Sequence, residues 1–337
     1  MSTVTLQRTQ TKVRIDELLV ESQQTERRTS QMPLVGFGLW KVPNETCADT
    51  VYNAIKMGYR LFDGACDYGN EKEAGEGVRR AIADGLVKRE ELFITSKLWN
   101  TFHAHDHVKQ LAKKQLQDWG LDYFDLYLVH FPIAIQYVAP EHRYPPTWWD
   151  DEGKLLPPVN VPMQETWSAM EELADEGLAH NIGVSNVCGG LLLDMFRYAR
   201  IPPQVLQVEL HPYNSQAALI KVAQLLGVVV TGYSQFGPMG YREIGADKNT
   251  GLLFDHPVIQ KVAQAHGKTP AQVLLRWLTQ RNITVMPKAT RNDLLQENLR
   301  SDDFQLTDED FKQIATLNIN RRFNDPADLD TKFSIFA

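Results

Sequence analysis

The chain has 337 residues, of which 43% are hydrophobic and 23% are charged, an ordinary balance for a large globular protein. Its formal net charge is −7 and it contains no long run of Lys and Arg, which argues against nucleic acid or an acidic membrane as a partner. No apolar run reaches the roughly 18 residues that a membrane-spanning helix needs.

The first 31 residues are predicted to be a partly flexible N-terminal extension. This segment is polar and contains several acidic residues, whereas import peptides are poor in acids. Within it, KVRIDELLV is expected to form either a short helix or one arm of a hairpin. The three cysteines are odd in number and include no C-x-x-C pair, which is typical of reduced thiols. We therefore expect a cytoplasmic protein.

From residue 32 onward, short apolar segments alternate with segments of helical periodicity. Eight segments have the length and composition of buried strands: 35–39, 60–62, 92–95, 124–129, 179–184, 205–208, 228–231 and 284–286. Helices are predicted at 45–57, 71–84, 105–119, 164–176, 191–199, 216–226, 257–266, 271–280, 292–298 and 307–317. This alternation predicts an α/β fold in which residues 32–337 form a single (β/α)8 barrel.

Polar residues follow several predicted strands at the point where each strand ends. Asp63 follows the second strand, Lys97 the third and His130 the fourth, and Tyr68 lies in the loop after Asp63. Since the carboxyl ends of barrel strands form one rim, on which active sites are built, these four side chains are expected to meet.

An acid, a phenol, an ammonium and an imidazole at one rim can together protonate a carbonyl oxygen. Free tyrosine has a pKa near 10, and an adjacent ammonium stabilises the phenolate, so we expect Lys97 to lower the pKa of Tyr68. Asp63 would anchor Lys97, and a neutral His130 would orient the substrate oxygen. Taken singly, Asp63 and Lys97 could form a structural ion pair, and His130 could be a core histidine. Their conjunction favours catalysis, with hydride as the attacking group.

Two long loops interrupt the compact alternation. Residues 131–161 are rich in Pro and aromatic side chains and follow His130, and residues 237–255 follow the seventh strand. Long loops in compact domains are commonly functional, so we expect both to wall and cover the site. Two variable surface loops are the alternative.

The common nucleotide-binding motifs are missing from this sequence. Gly36 and Gly38 are not followed by the third glycine of G-x-G-x-x-G, and G-x-x-x-x-G-K-[ST] does not occur. His103, His105 and His107 alternate as some metal ligands do, but no Cys or carboxylate has suitable spacing. We expect three solvated histidines and no metal site.

Seven motifs occur in the order in which a known enzyme family carries them. They are LFDGACDYGNE, LFITSKLWN, LYLVHFP, IGVSN, VLQVELHPY, GYSQFGP and VMPKAT. With them the chain resembles the aldo-keto reductase superfamily over residues 32–326. The stretches GLWKV, HFPIAIQYVAPEHRYPP and RFNDP are most similar to fungal xylose (aldose) reductases.

The resemblance implies NAD(P)H-dependent reduction of an aldehyde on a barrel without a Rossmann domain. Tyr68 would be the proton donor, and Asp63, Lys97 and His130 would complete a tetrad. The residues implied to bind the cofactor are Ser185, Asn186, Gln207, Tyr233, Ser234, Phe236, Lys288, Thr290, Arg291, Glu297 and Asn298. The residues implied to line the substrate pocket are Trp40, Asp67, Phe131 and Asn324.

Departures from the family pattern bear on specificity. The usual K-S-N after the eighth strand is K-A-T here, and Leu294 stands where an Arg is expected. NADPH is the expected cofactor, with NADH as an alternative. The expected reaction reduces a pentose such as D-xylose or L-arabinose to its alditol. Reduction of D-galacturonate, or a cofactor-binding regulatory barrel with little turnover, are the alternatives. We expect a monomer or a homodimer that binds a small sugar aldehyde.

Overall fold

Eight parallel strands surround the centre of the computed structural model, which describes residues 12–15 and 30–337. They are β3 (Phe37–Gly38), β4 (Leu61–Asp63), β5 (Phe93–Leu98), β6 (Phe124–Val129), β7 (Ala179–Ser185), β8 (Val205–Glu209), β9 (Val229–Tyr233) and β10 (Thr284–Val285). Each pairs with the next along the chain. A parallel bridge between Val35 and Val285 joins the first strand to the last, and the Gly36 amide donates to the Val285 carbonyl at 2.8 Å. The sheet is therefore closed, and the predicted (β/α)8 barrel is confirmed.

Helices cover the outside of the barrel, close to where the apolar periodicity predicts them. They are α1 (Asn44–Met57), α2 (Glu71–Ala83), α3 (His105–Trp119), α4 (Met163–Asp175), α5 (Gly189–Tyr198), α6 (Ala217–Leu225), α7 (Met239–Arg242), α8 (Pro257–His266), α9 (Pro270–Thr279), α10 (Asn292–Leu299) and α11 (Asp308–Ala315). Short 3-10 helices span Cys66–Tyr68, Arg89–Glu91, Asn100–Phe102, Leu253–Asp255, Pro326–Asp328 and Thr331–Phe333. Among the described residues, no helix combines the length and the apolar composition that crossing a bilayer requires.

A short antiparallel pair precedes the barrel. Strand β1 (Lys12–Ile15) pairs with β2 (Ser30–Pro33). Met32 has no exposed surface and belongs to a cluster with residues that begin four barrel strands, namely Leu61, Phe93, Val205 and Val229. Met32 therefore fills the N-terminal end of the barrel, opposite the rim that carries Asp63. Of the two forms expected for KVRIDELLV, a strand is observed at residues 12–15, and residues 1–11 and 16–29 of the predicted extension lie outside the described part of the chain.

Candidate active site

Four side chains that are far apart in the sequence occupy neighbouring positions at the C-terminal rim of the barrel. Asp63 is the last residue of β4, and Lys97 is the penultimate residue of β5. Tyr68 ends a short 3-10 helix that follows β4, and His130 follows β6 directly. Each backbone position is set by a strand or by one turn after it, so the barrel itself brings the four groups to one rim.

The Lys97 ammonium is the centre of this group. Its side chain has no exposed surface, and Nζ donates to Asp63 Oδ1 at 2.6 Å and to the Gly64 carbonyl at 2.8 Å. Nζ also lies 3.3 Å from the Tyr68 hydroxyl. A buried ammonium is tolerated only when it is paired and hydrogen-bonded, and here three oxygen atoms surround it. Asp63, Tyr68 and Lys97 are thus held together as one unit.

The structure corrects the expected direction of the Tyr68 pKa. Burial raises the pKa of the phenol well above its usual range, and the negative charges of Asp63 and Asp67 act in the same direction. Burial and the two carboxylates therefore outweigh any lowering of this pKa by the Lys97 ammonium at 3.3 Å, which is itself paired with Asp63. Tyr68 therefore keeps its proton at neutral pH, which is the state that a proton donor needs.

His130 lies beside the phenol and is enclosed by aromatic rings. The ring centroids of Tyr68 and His130 are 6.0 Å apart in an edge-to-face arrangement. Phe131 stacks on the imidazole at 5.0 Å, and the Trp99 ring contacts its edge at 5.3 Å. Nδ1 lies 3.2 Å from Asp67 Oδ1. These contacts fix the plane of the imidazole next to the proton donor.

A cavity of about 430 Å³ opens above these side chains. Asp63, Tyr68 and His130 lie on its wall, whereas Lys97 lies beneath it. All four residues expected at the substrate pocket line this cavity: Trp40, Asp67, Phe131 and Asn324. So do eight of the residues expected to bind the cofactor: Ser185, Asn186, Gln207, Tyr233, Ser234, Phe236, Lys288 and Thr290. The structure thus brings most of the predicted residues to one space.

The amide side chains of the cavity form an ordered network next to Asp63. Gln207 Nε2 donates to Asp63 Oδ2 at 2.8 Å, and Asn186 Nδ2 lies 3.1 Å from Ser185 Oγ. The Tyr233 hydroxyl donates to Asn186 Oδ1 at 2.6 Å. These bonds hold amide groups and one flat aromatic ring at the end of the cavity that contains the tetrad.

Three predicted cofactor residues lie outside the cavity wall. Arg291 is exposed and forms an ion pair with Asp293, which holds its guanidinium locally. Glu297 accepts a hydrogen bond from Thr269 Oγ1 at 2.7 Å, and Asn298 is buried in α10. Leu294, at the position where an Arg was expected, does line the cavity.

The chemistry of the lining residues fits a nicotinamide dinucleotide. One end of the cavity offers amide groups and the Tyr233 ring, which suit a carboxamide on a flat heterocycle. The segment after β10 adds the exposed Lys288 and the hydroxyl of Thr290 to the cavity wall, and both suit a phosphate. Gly237 has a φ of 61°, and a side chain there would press against Leu253 at 2.9 Å, so this turn of the wall requires glycine.

The two long loops both contribute to the wall, as expected. Residues 131–161 supply Trp148, whose ring packs against Trp99 at 5.4 Å. Residues 237–255 supply Tyr241 and Glu243. No motif in the sequence identifies these side chains or Lys41, which donates to the Gly240 carbonyl and pairs with Glu243 at 2.8 Å. In the sequence they are marked only by their position, in an unusually long loop or in the segment after β3.

The three alternating histidines are not equally solvated. His103 is 3% exposed, and its ring lies 3.3 Å from Thr166 Oγ1, so its predicted solvation is wrong. His105 is partly exposed and lies 3.0 Å from Glu172 Oε1, and His107 stacks on Tyr137. His103 precedes α3 by two residues, and its carbonyl accepts a hydrogen bond from Thr166 Oγ1 of α4 at 2.9 Å, so contact with α4 accounts for its burial.

Comparison with known proteins identifies relatives over nearly the whole chain. A sequence model described as the Aldo/keto reductase family matches residues 34–319. The probable NAD(P)H-dependent D-xylose reductase xyl1 of Emericella nidulans is 57% identical over 308 residues, which cover 90% of this chain and 96% of the relative. The NAD(P)H-dependent D-xylose reductase xyl1 of Aspergillus niger is 56% identical, with 88% and 93% coverage. The structure of the aldose reductase from Schistosoma japonicum superimposes with a TM-score of 0.81 at 35% identity, covering 91% of this chain and 96% of that one.

Proposed function

This chain belongs to the aldo/keto reductase family, and from that premise we propose that it reduces aldose sugars, D-xylose and L-arabinose among them, to their alditols with NADPH or NADH. The observation that carries the proposal is the Lys97 ammonium, buried between Asp63 and the Tyr68 hydroxyl beneath a cavity of about 430 Å³. The names of the D-xylose reductases that are 55–59% identical to it support the sugar substrate.

Proton transfer is assigned to Tyr68. The raised pKa keeps the phenol protonated until a carbonyl oxygen accepts the proton. The phenolate that then forms lies 3.3 Å from the Lys97 ammonium, an interaction that strengthens as negative charge develops. Asp63 keeps Lys97 in place at 2.6 Å. When bound, the reduced nicotinamide supplies the hydride that the carbonyl carbon needs.

Orientation of the carbonyl is assigned to His130. Its ring is fixed by Phe131 and Trp99 beside Tyr68, so one hydrogen-bond donor on the imidazole has a defined direction. A neutral imidazole can donate a hydrogen bond to the oxygen that Tyr68 protonates. The same oxygen would thus be held by two groups, and this geometry favours reaction over simple binding.

Eight of the residues proposed to hold the cofactor line the cavity, and three more lie beyond its wall. Ser185, Asn186 and Gln207 would bind the carboxamide, and Tyr233 would stack on the nicotinamide. The pyrophosphate would contact Ser234 and Phe236. The far end of the cofactor is assigned to Lys288, Thr290, Arg291, Glu297 and Asn298.

The substrate pocket is assigned to residues with both apolar and polar character. Trp40 and Phe131 provide aromatic surface, while Asp67 and Asn324 provide hydrogen-bonding groups. A pocket with an aromatic wall and a few polar groups suits a polyhydroxy aldehyde that has one apolar face.

Arg291 is the residue whose role in cofactor choice is tested most simply. The Arg291→Ala variant is expected to raise the KM for NADPH much more than the KM for NADH, because only NADPH carries the additional phosphate that a guanidinium binds. Steady-state kinetics with both cofactors measure the two values. Equal changes for NADPH and NADH would contradict a role of Arg291 in recognising the additional phosphate.

We also propose a cytoplasmic location. Cys47 and Cys66 are buried free thiols, and burial raises the pKa of both, which suits cysteines that remain reduced.

The proposed function is tested by following cofactor oxidation with purified protein. D-xylose, L-arabinose, D-galacturonate and an aromatic aldehyde are each offered with NADPH and with NADH. We expect the highest kcat/KM for a pentose. Preference for D-galacturonate would assign a different sugar class, and turnover of none of the four would favour a regulatory barrel.

A further inference from the structure

A buried carboxylate lies behind the cavity, outside the tetrad and its wall. Glu209 is the last residue of β8, and its side chain has no exposed surface. Its Oε1 lies 2.8 Å from His211 Nε2, and the His211 ring is also fully buried. The mechanism above gives this pair no role, although burial of a carboxylate beside an imidazole requires a structural or functional reason.

The carboxylate accepts two backbone hydrogen bonds from the C-terminal segment. The amide of Phe323 donates to Oε1 at 2.8 Å, and the amide of Asn324 donates to Oε2 at 2.8 Å. Burial acts to raise the pKa of Glu209, but His211 and these two amides outweigh burial and hold the pKa below its usual range. Glu209 is therefore ionised at neutral pH and can accept all three contacts.

The segment that Glu209 contacts is also held at neighbouring positions, where Arg322 donates to Gln216 Oε1 at 3.0 Å and the Phe323 ring packs on His211 at 5.3 Å. Residues 318–325 form neither helix nor strand, so the position of Asn324 depends on contacts from outside. The ring of Phe323 stacks on Tyr241 at 5.7 Å, and the Arg321 amide donates to the Tyr213 carbonyl at 2.9 Å. Within residues 12–15 and 30–337, the hydrogen bond to Glu209 Oε2 is the one that holds the Asn324 backbone amide.

Asn324 connects the carboxylate to the cavity. Asn324 Nδ2 donates to the Tyr233 hydroxyl at 3.3 Å, and that hydroxyl donates to Asn186 Oδ1 at 2.6 Å. All three side chains line the cavity. A displaced Asn324 backbone would thus move one of the hydrogen-bonding groups on the wall.

We propose that Glu209 is a positioning residue that sets selectivity for hydroxylated aldehydes, because it fixes the backbone of Phe323 and Asn324 and so holds the Asn324 amide at the cavity wall. The inference rests on the proposed function, since it concerns the choice among aldehydes that this site reduces. Glu209 does not touch the substrate and acts through Asn324.

The test compares D-xylose with pentanal, a five-carbon aldehyde without hydroxyl groups. Glu209→Gln replaces one accepting oxygen by an NH2 group that faces a backbone N–H, so the segment loses one of its contacts. The ratio of kcat/KM for D-xylose to kcat/KM for pentanal is expected to fall about tenfold, the size of one hydrogen bond, mainly through a higher KM for D-xylose.

Two further variants separate positioning from general damage. Asn324→Ala should lower the same ratio, and the double variant should lower it by less than the product of the two single effects, because both changes act on one contact. Glu171→Gln is the matched control: Glu171 is also a buried carboxylate that accepts a backbone hydrogen bond, from Ile201 at 2.8 Å, but Ile201, unlike Asn324, does not line the cavity. In Glu171→Gln the ratio of kcat/KM for D-xylose to kcat/KM for pentanal should equal that of wild type.

Should Glu209→Gln fail to fold, Glu209→Asp decides by the same criteria, because it keeps the negative charge beside His211 but shortens the side chain, so that the carboxylate no longer reaches both backbone amides. An unchanged ratio in the folded variant, or single effects that multiply, would overturn the inference while the reductase activity stands. Wild-type protein that reduces neither aldehyde would contradict the proposed function and this inference together.

Discussion

At the level of single residues, burial shifts the pKa of Tyr68 upward and the pKa of His103 downward. In both cases it favours the uncharged form of the side chain. It keeps the Tyr68 phenol protonated, which suits a proton donor, and it keeps His103 uncharged below the pH at which a free imidazole binds a proton. The first effect serves the proposed chemistry. The second makes the folded state sensitive to acid.

The acid sensitivity is testable at His103. Burial lowers its pKa from 6.5 to about 4, so between these values the unfolded chain binds a proton that the folded chain does not. Stability contributed by this group is present above pH 6.5 and is lost as the pH falls towards 4, by about 3 kcal/mol in total. Urea denaturation of wild type and His103→Gln at pH 7 and pH 4 measures the difference. Equal losses in both proteins would contradict this prediction.

Much of the tetrad could be predicted from single residues, but their protonation could not. A charged side chain at the end of an apolar strand identifies Asp63 and Lys97 as rim residues, and Tyr68 follows in the short loop after Asp63. Whether Lys97 lowers the Tyr68 pKa depends on how closely Asp63 neutralises the ammonium, and a distance of 2.6 Å is not encoded in any spacing.

At the level of elements, a buried polar network supports β5 from behind the site. Glu71, at the start of α2, accepts hydrogen bonds from Ser96 Oγ at 2.5 Å and from Trp119 Nε1 at 2.9 Å. Gln115 Nε2 donates to Ser96 Oγ at 2.7 Å and to the Lys97 carbonyl at 3.2 Å. The network ties α2 and α3 to the strand that carries Lys97. Periodicity predicts that these helices face the barrel, but it does not specify which polar groups pair beneath them.

Close contact between α2 and α3 gives a second prediction. A side chain at Gly75 in α2 would overlap the carbonyl of Trp119, the last residue of α3. Gly75→Ala should therefore lower the free energy of unfolding by about 3 kcal/mol. Gly190 in α5 is the control, since nothing lies within 4 Å of a Cβ there and alanine favours a helix. Urea denaturation should show Gly190→Ala at least as stable as wild type, and equal losses in both variants would refute the packing argument.

At the level of the whole molecule, ion pairs join the loop after β9 to the segment after β3 and to the C-terminal segment. Lys41, after β3, pairs with Glu243, and Lys248 pairs with Asp328 of the C-terminal segment at 2.7 Å. The strands, the helices and the position of the rim follow from alternating patterns in the sequence. These ties do not, because they join exposed charges about 80 and 200 residues apart.

The ion pair between Lys41 and Glu243 is expected to slow release of the cofactor, because it joins the loop after β9 to the segment after β3. Glu243→Gln should speed dissociation of NADPH about two- to fivefold, the range expected for one partly exposed ion pair. Stopped-flow fluorescence measures the rate. Glu90→Gln, in the 3-10 helix before β5 at the opposite end of the barrel, is the control and should release NADPH at the wild-type rate. If Glu243→Gln releases NADPH at the wild-type rate, the ion pair between Lys41 and Glu243 does not slow release of the cofactor.

Formation of xylitol from D-xylose and NADPH, compared between wild type and Tyr68→Phe, tests the central claim most directly. We expect the variant to bind NADPH as tightly as wild type in a fluorescence titration and to lose about a thousandfold in kcat, the contribution of a positioned general acid. A Tyr68→Phe protein that makes xylitol at close to the wild-type rate would contradict the assignment of the phenol above Lys97 as the proton donor.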